Sequence, residues 1–238
     1  MELLNHTFFI NLDHRTDRLE HATEEFKKMG IPAERVAGIQ PKTPAIGCSM
    51  SHIKCLELAK TRNYEQVFIC EDDITFTNPE LFKENIKKFN DNKCINWDVL
   101  IVAGNNRPPH QELYEYAARV FYCQTTTGYI VKREFYDILL DNFKTGLRKL
   151  IENPENKFEY AIDKYWLPLQ IQNYWYLITP LTVTQYDNYS DIEQKNTVYS
   201  GVILDLNKQE MIRKQHEMIR KQQEMIRKQH IGMTLIDK

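Results

Sequence analysis

Three consecutive carboxylates, Glu71, Asp72 and Asp73, stand directly behind the apolar run VFIC. Neighbouring like charges repel and the end of a buried strand solvates them poorly, so a positive charge is expected opposite them. Three kinds of site place clustered carboxylates after a strand: a divalent metal held together with a diphosphate, a phosphatase-like Asp nucleophile, and an acid that binds a ribose hydroxyl. A solvated turn whose acids favour the dipole of the next helix is the alternative without chemistry.

Other nucleotide-binding motifs are missing from the sequence. No G-x-G-x-x-G follows the first apolar strand, and no Walker A sequence occurs, which argues against a dinucleotide site and a P-loop. Hard oxygen ligands suit Mg²⁺ or Mn²⁺. The metal–diphosphate site, the phosphatase-like site and the solvated turn therefore stay open at this point.

The pattern around the triplet alternates short β-rich runs with amphipathic helical stretches. The predicted strands are TFFINL, PAERVAG, QVFIC, WDVLIV, ARVFYC, TTGYIVK and WYLITP. The predicted helices are RTDRLEHATEEFKKMG, ending at Gly30, CSMSHIKCLELAKTR with Ser49 or Ser51 as N-cap, NPELFKENIKKF, a helix from Arg133, and YAIDKYWLPLQIQ as far as Pro168. This alternation predicts an α/β fold, a mostly parallel sheet with helices on both faces, which binds ligands at the carboxyl ends of its strands.

Composition narrows the class of protein. The 238 residues are 42% apolar and carry a formal net charge of −2, which gives no reason to expect nucleic-acid binding. No apolar run reaches membrane-spanning length and no signal peptide is recognisable. The five cysteines form no CxxC pair and no metal-ligand spacing, which favours reduced thiols and a cytoplasmic protein.

The C-terminal segment of the chain has a repetitive sequence pattern. EMIRKQH, EMIRKQQ and EMIRKQH repeat without a gap from Glu210 to His230, and each copy sets Glu four residues before Lys. With Ile at the a positions, the d positions are all Gln, so a stable coiled coil is not expected. We predict a globular domain over residues 1–206 and a solvated helical tail over 207–238, with weak self-association through the tail as the alternative.

Seven ordered segments share the motifs of a known family. They are FFINLDHRTDRLE, GCSMSHIKCLELA, VFICEDDITF, WDVLIVAG, TTTGYIV, IDKYW and TPLTVTQYDNYSDI, and they span most of residues 7–192. Together they resemble glycosyltransferase family 25, which contains bacterial lipooligosaccharide galactosyltransferases and animal collagen galactosyltransferases. The Gly128–Tyr129 step departs from the family pattern, which has a bulkier residue or Ala before Tyr, so a difference on the acceptor side is expected.

The resemblance implies a GT-A-type, Rossmann-like fold, a UDP-sugar donor and Mn²⁺ or Mg²⁺, with the triplet where such enzymes carry Asp-x-Asp. Glu71 and Asp73, two apart on an extended segment, are then expected to face the same side and hold the metal, with Asp72 contacting ribose or sugar. Gln185 and Asp187 are candidates for the late metal ligand. Further donor-binding candidates are Asn11, Arg15 and Arg18 after the first strand, and Ser49, Ser51 and His52 at a helix start whose free N–H groups favour anions.

The expected activity is inverting transfer of galactose or glucose to a glycan, a lipid-linked saccharide or hydroxylysine. Such transfer needs a carboxylate that takes the acceptor proton, and Asp163 in AIDKYW is the candidate base. A structural Asp163 that pairs with Lys164 is the competing interpretation. Two other functions stay open: a metal-dependent phosphohydrolase, and a catalytically inactive glycosyltransferase-like binding module.

Overall fold

The computed structural model describes residues 2–187, 189–190, 195–196 and 203–206. The predicted tail at 207–238 lies outside the described residues, so the division into domain and tail stays a prediction. The described strands are β1 Thr7–Asn11, β2 Ala33–Ala37, β3 Gln66–Glu71, β4 Ile74–Phe76, β5 Val99–Asn106, β6 His110–Tyr114, β7 Ala117–Val120, β8 Cys123–Lys132, β9 Trp175–Ile178, β10 Val183–Gln185, β11 Tyr189–Ser190 and β12 Lys195–Asn196. The described α-helices are α1 Thr16–Met29, α2 Pro44–Thr61, α3 Pro79–Asp91, α4 Tyr136–Glu152, α5 Lys157–Tyr160, α6 Ile162–Tyr165 and α7 Leu167–Gln172.

One large sheet organises the described part of the chain. Its eight strands lie in the order β2-β1-β3-β8-β5-β9-β7-β6. The pairings make six of these strands run in one direction, and only β8 and β7 run against them. The prediction of a mostly parallel sheet is confirmed.

Helices cover both faces of this sheet. On one face Phe26 of α1 and Phe82 of α3 join a buried cluster that also holds Phe68 of β3. On the other face Leu56 of α2 and Phe143 of α4 pack with Tyr129 of β8. Each face therefore buries its own apolar core, and the predicted α/β fold, a mostly parallel sheet with helices on both faces, is confirmed. Among the described helices, none combines the length and the apolar composition that a membrane span needs.

Two helix ends follow their local sequence signals. Gly30 ends α1 in the left-handed region, at φ 66°, which a residue without Cβ adopts at low cost. Asn78 caps α3 by accepting a hydrogen bond from the Leu81 N–H at 3.2 Å, and Pro79 follows in the first turn.

The start of α2 was predicted wrongly. The helix begins at Pro44, after Thr43, so Ser49 and Ser51 lie in its second turn and cap nothing. Their hydroxyls donate to carbonyls four residues earlier, those of Ala45 and Gly47. Thr43, directly before Pro44, is a weaker N-cap residue than serine. The two serines therefore gave the stronger sequence signal for a helix start.

The order of the strands in the sheet does not follow their order in the chain. The strands from ARVFYC and TTGYIVK exist as β7 and β8, but they do not pair with each other, since β7 lies between β9 and β6, and β8 lies between β3 and β5. The short strands β4 and β10, antiparallel to each other, form a separate pair that sets Gln185 opposite Ile74. That pair joins the acidic triplet to a segment more than a hundred residues later.

Close packing in the core explains why residue 128 is a glycine. It lies within β8, and a Cβ there would come within 2.7 Å of Val102 Cγ2 and 3.2 Å of Phe68 Cε2. A larger residue would have to displace the buried centre of the sheet. The departure from the family pattern at this position therefore lies in the core, away from the residues that line the cleft described below.

Candidate active site

The acidic triplet lies at the carboxyl end of β3, a strand flanked by β1 and β8. Glu71 is the last residue of β3, and Asp72 and Asp73 form the turn that leads into β4. The expectation of an extended segment is wrong, because Asp72 and Asp73 lie in this turn and only Glu71 belongs to the strand. The three acids consequently have different neighbours.

Arg18 supplies the positive charge that the triplet requires. It lies in the first turns of α1, and its Nη1 is 3.1 Å from Asp72 Oδ1 and 3.1 Å from Asp73 Oδ2. Asn11, at the end of β1, donates its side-chain amide to Asp72 Oδ2 at 2.7 Å. Both oxygens of Asp72 are thereby held, although burial still raises the pKa of this carboxyl above its ordinary value.

Asp73 is the least compensated of the three acids. Burial, together with the charges of Glu71 and Asp72, raises the pKa of Asp73 to about 8, although Arg18 opposes the shift. Its Oδ1 is buried and has no hydrogen-bond partner among the described residues, and the same is true of Gln185 Oε1. Gln185 Nε2 is 3.4 Å from Asp73 Oδ2, so two unsatisfied acceptor oxygens belong to side chains in contact.

Glu71 faces α2 and β8. Its Oε1 accepts a hydrogen bond from the Thr126 hydroxyl at 2.5 Å and lies 3.5 Å from His52 Nε2. Burial acts to raise the pKa of Glu71, but His52, Thr126 and Arg18 outweigh it, and the pKa lies below its ordinary value. Adjacent acids in one site are therefore driven in opposite directions, a pattern common where carboxylates do chemistry.

The neighbours of Glu71 on α2 are Cys48 and His52. Cys48 Sγ lies 4.0 Å from Glu71 Oε1 and 3.9 Å from Thr126 Oγ1. Burial and the negative charge of Glu71 raise the pKa of the Cys48 thiol well above its ordinary value. His52 is buried, with Nδ1 3.1 Å from the Tyr129 hydroxyl.

Asp163 lies on α6. Its Oδ2 accepts a hydrogen bond from the Thr125 N–H at 3.1 Å, and Lys164 Nζ is 3.7 Å away. Thr125 has φ 75°, a left-handed conformation that is costly for a β-branched residue and that recurs at functional sites. The Asp163 carboxylate thus holds a strained residue of β8 in place while keeping acceptor capacity of its own.

A single cleft of about 830 Å³ joins these groups. The predicted site residues that line it are Arg15, Arg18, Ser51, His52, Glu71, Asp72, Asp73, Asp163 and Gln185. Arg15 Nε and Nη2 are hydrogen-bonded to both carboxylate oxygens of Asp17. The Ser51 hydroxyl accepts from the Ile39 N–H at 2.8 Å, which gives it a structural task beside the cleft.

Three predicted residues lie off the cleft surface. Asn11 is 1% exposed and holds Asp72 through a hydrogen bond without lining the cleft itself. Ser49 is likewise buried, inside α2. Asp187 is exposed and does not line the cleft. Their predicted binding roles stay predictions.

Some cleft residues were missed by the sequence reasoning. Cys48 and Thr126 contact Glu71, and Thr125 lines the same cleft. Phe158, 79% exposed, also lies at the cleft with Lys157 beside it. The TTTG segment is part of a family-like motif, and this signal could have identified its threonine hydroxyls as candidate site residues. Phe158 lies outside every quoted motif, and no local signal marked it.

Comparisons with known proteins agree with the motifs. The model of a family described as glycosyltransferase family 25 (LPS biosynthesis protein) matches residues 43–120. A protein of Anopheles gambiae named "Glycosyltransferase 25 family member" is 24% identical over 205 residues, covering 72% of this chain and 32% of that protein. The chain therefore spans about a third of the length of this curated relative.

Solved structures with a similar chain path share less sequence identity with this chain. A crystal structure of a protein from STIV has a TM-score of 0.46 at 14% identity, covering 80% of this chain and 92% of that one. A glycosyltransferase involved in the glycosylation of the major capsid of PBCV-1 has a TM-score of 0.42 at 13% identity, covering 72% and 91%. The family model and the curated relative agree with the resemblance that the ordered motifs indicated: residues 43–120 are similar to glycosyltransferase family 25.

Proposed function

We propose that the chain is an inverting, metal-dependent glycosyltransferase that moves galactose or glucose from a UDP-sugar to a saccharide or hydroxylysine acceptor. The observation that carries the proposal is the buried triplet at the carboxyl end of β3, in the cleft that Asp163 also lines. In this proposal the triplet is a charged centre that receives the diphosphate, and Asp163 is a separate carboxylate that takes a proton; the position of both groups along one cleft supports it. The family resemblance agrees with this division.

The oxygen ligands suit a hard divalent cation. Asp73 Oδ1 and Gln185 Oε1 are buried acceptors without hydrogen-bond partners among the described residues, and each such group costs about 1–3 kcal/mol. Mn²⁺ or Mg²⁺ prefers carboxylate and amide oxygens, so Asp73 and Gln185 would hold it, with Glu71 in support. When bound, the cation would offset the negative charge that develops on the leaving diphosphate.

The arginines of α1 are suited to the donor. Arg18 now bridges Asp72 and Asp73, and Arg15 lines the same cleft. A guanidinium binds phosphate oxygens through parallel hydrogen bonds. We expect both side chains to turn toward the diphosphate of a bound donor, with Asp72 then available to a ribose or sugar hydroxyl.

Asp163 is the base in this proposal. The acceptor oxygen attacks the anomeric carbon, the bond from that carbon to the diphosphate breaks, UDP leaves with the electron pair, and the hydroxyl proton passes to Asp163. The Thr125 N–H fixes one oxygen of the carboxylate, which orients it without occupying all its acceptor sites. Attack opposite the leaving group inverts the anomeric configuration.

A screen of UDP-sugars with Mn²⁺, following UDP release, tests the proposal. Asp163→Asn should lower transfer by about 10²- to 10⁴-fold while UDP-sugar binding measured by calorimetry persists. Asp141→Asn, at an exposed acid on α4 outside this cleft, is the matched control and should keep full activity.

Other outcomes reject the proposal in informative ways. Release of phosphate from monoesters without UDP release identifies a phosphohydrolase. A folded protein that binds UDP-sugars but turns none over, with or without saccharide acceptors, identifies a binding module. A product that retains the donor's anomeric configuration excludes Asp163 as the base of a single displacement.

A further inference from the structure

We propose that Cys48, His52 and Glu71 form a thiolate-containing cation site that takes Zn²⁺ or a similar borderline-soft divalent ion. The sulfur, imidazole and carboxylate ligand atoms all lie within 4.8 Å of one another. Cys48 and His52 are four residues apart on α2, so they share one face of the helix. Glu71 reaches them from the end of β3.

The distances fit tetrahedral coordination. With the usual bond lengths to zinc, a tetrahedral site separates a nitrogen and an oxygen ligand by about 3.4 Å, and a sulfur and an oxygen ligand by about 3.6 Å. His52 Nε2 and Glu71 Oε1 are 3.5 Å apart, and Cys48 Sγ and Glu71 Oε1 are 4.0 Å apart. Cys48 Sγ therefore has to come a few tenths of an ångström closer to Glu71 Oε1 to reach this geometry, and the ligand atoms of Cys48 and His52 lie within 4.8 Å of each other.

His52 gives independent support. The residue is 1% exposed, and its Nε2 points toward Glu71 without a hydrogen-bond partner in the described part of the chain. Its Nδ1 is 3.1 Å from the Tyr129 hydroxyl. The Tyr129 hydroxyl thus orients the ring through Nδ1 and directs Nε2 at Glu71, as a second group does for a metal-bound histidine, and an ion would bind Nε2 after any proton there has left.

The site is reachable and leaves a position open. Cys48, His52 and Glu71 all line the 830 Å³ cleft, so a hydrated ion can enter from solvent. Binding replaces the S–H bond of Cys48 by a sulfur–metal bond, and the proton leaves to water. The fourth ligand is then a water molecule from the cleft.

The ligand types separate this site from the proposed donor-metal site. Sulfur and imidazole favour Zn²⁺ or Co²⁺, whereas Asp73 and Gln185 offer only hard oxygens. Glu71 is the group that the two sites share. We therefore expect Zn²⁺ to inhibit Mn²⁺-dependent transfer by removing Glu71 from the triplet, a consequence that rests on the proposed function, whereas the binding itself does not.

Cobalt(II) titration of the full chain tests the binding. A bound thiolate gives Co²⁺ an intense sulfur-to-metal charge-transfer band in the near ultraviolet. The band should form in the wild type, in Cys94→Ser, which removes an exposed thiol, and in Asp73→Asn. It should be absent in Cys48→Ser, and His52→Ala should weaken Co²⁺ binding at least about 10-fold.

Clear results overturn the proposal. No charge-transfer band in the wild type, or an undiminished band in Cys48→Ser, excludes Cys48 as a ligand, and loss of the band in Asp73→Asn places the ion in the donor-metal site. If Cys48→Ser does not fold by circular dichroism, X-ray absorption of the zinc-loaded wild type decides. It should show one sulfur neighbour at about 2.3 Å, and a shell of oxygen and nitrogen alone rejects the site.

Discussion

Asp73→Asn should make the metal-free protein more stable while removing its metal-dependent donor binding. Asp73 is 5% exposed, and its Oδ1 finds no hydrogen-bond partner among the described residues. Its carboxylate also lies beside two other acids with Arg18 as the shared cation. The side chain is therefore a group that costs stability until a cation arrives, as is common where function requires an unfavourable arrangement.

The magnitude follows from the pKa of Asp73. This carboxyl has a pKa of about 8 in the folded protein against an ordinary 3.8, so between these values the folded state binds a proton that the unfolded state has lost. Stability must then fall as pH rises from about 4 to about 8. At pH 7 the loss is on the order of 4 kcal/mol.

Asparagine avoids this loss because it does not ionise. Its amide oxygen can take the place of Oδ2 opposite Arg18 and Gln185, but its NH₂ group then lacks an acceptor, at a cost of about 1–3 kcal/mol. We expect a net gain of about 1–3 kcal/mol at pH 7, or roughly 2–10 °C in Tm. At pH 5 most of the ionisation penalty is gone, and the gain should vanish.

Thermal unfolding in EDTA at pH 5 and pH 7 measures the effect. Asp72→Asn is the contrasting control, because both Asp72 oxygens accept hydrogen bonds from Asn11 and Arg18. An amide NH₂ would face one of these donors, so Asp72→Asn should be less stable than Asp73→Asn at pH 7. Saturating Mn²⁺ should raise the Tm of the wild type and leave that of Asp73→Asn unchanged. A destabilised Asp73→Asn with the same ΔTm at both pH values would refute the reasoning.

Three further predictions concern the rest of the chain. Gln185→Ala should weaken Mn²⁺-dependent UDP binding in calorimetry and leave binding of UDP without metal unchanged, whereas equal affinity in Mn²⁺ would remove Gln185 from the metal site. Gly128→Ala should lower the free energy of unfolding by about 1–3 kcal/mol in urea titrations, because its Cβ would meet Val102 at 2.7 Å, and an unchanged midpoint would contradict this packing. Deleting residues 207–238 should leave donor hydrolysis near the wild-type rate, since the described residues that line the cleft and the family-like motifs all precede this segment, and a loss of activity with a changed sedimentation coefficient would assign the repeat to assembly.

The alternation of strands and helices could be predicted from the sequence because each element carries a local sequence signal. Gly30 at the end of α1 and Pro79 at the start of α3 mark their helices through backbone preferences that need no tertiary partner. The apolar run before Glu71 identifies a buried strand, and parallel topology places its end at the ligand-binding edge. The sequence alone therefore determined the fold class and the position of the triplet.

Some local signals were ambiguous and misled the prediction. Ser49 and Ser51 are good N-cap residues, but α2 begins five residues before Ser49, at Pro44. The hydroxyls instead bond back to carbonyls of the helix. Capping propensity indicates which residue types favour a helix start. Where the helix actually begins depends on its packing against the sheet.

Only the tertiary structure decided which groups meet the triplet. Arg18 reaches Asp72 and Asp73 because β1 and β3 are neighbours, and Gln185 arrives because β10 pairs with β4. His52 and Cys48 face Glu71 because α2 packs on the same face of the sheet as the Tyr129 side chain. These contacts join residues far apart in the chain, and no spacing rule encodes them, since they depend on strand order and helix packing that form only when the whole core is buried.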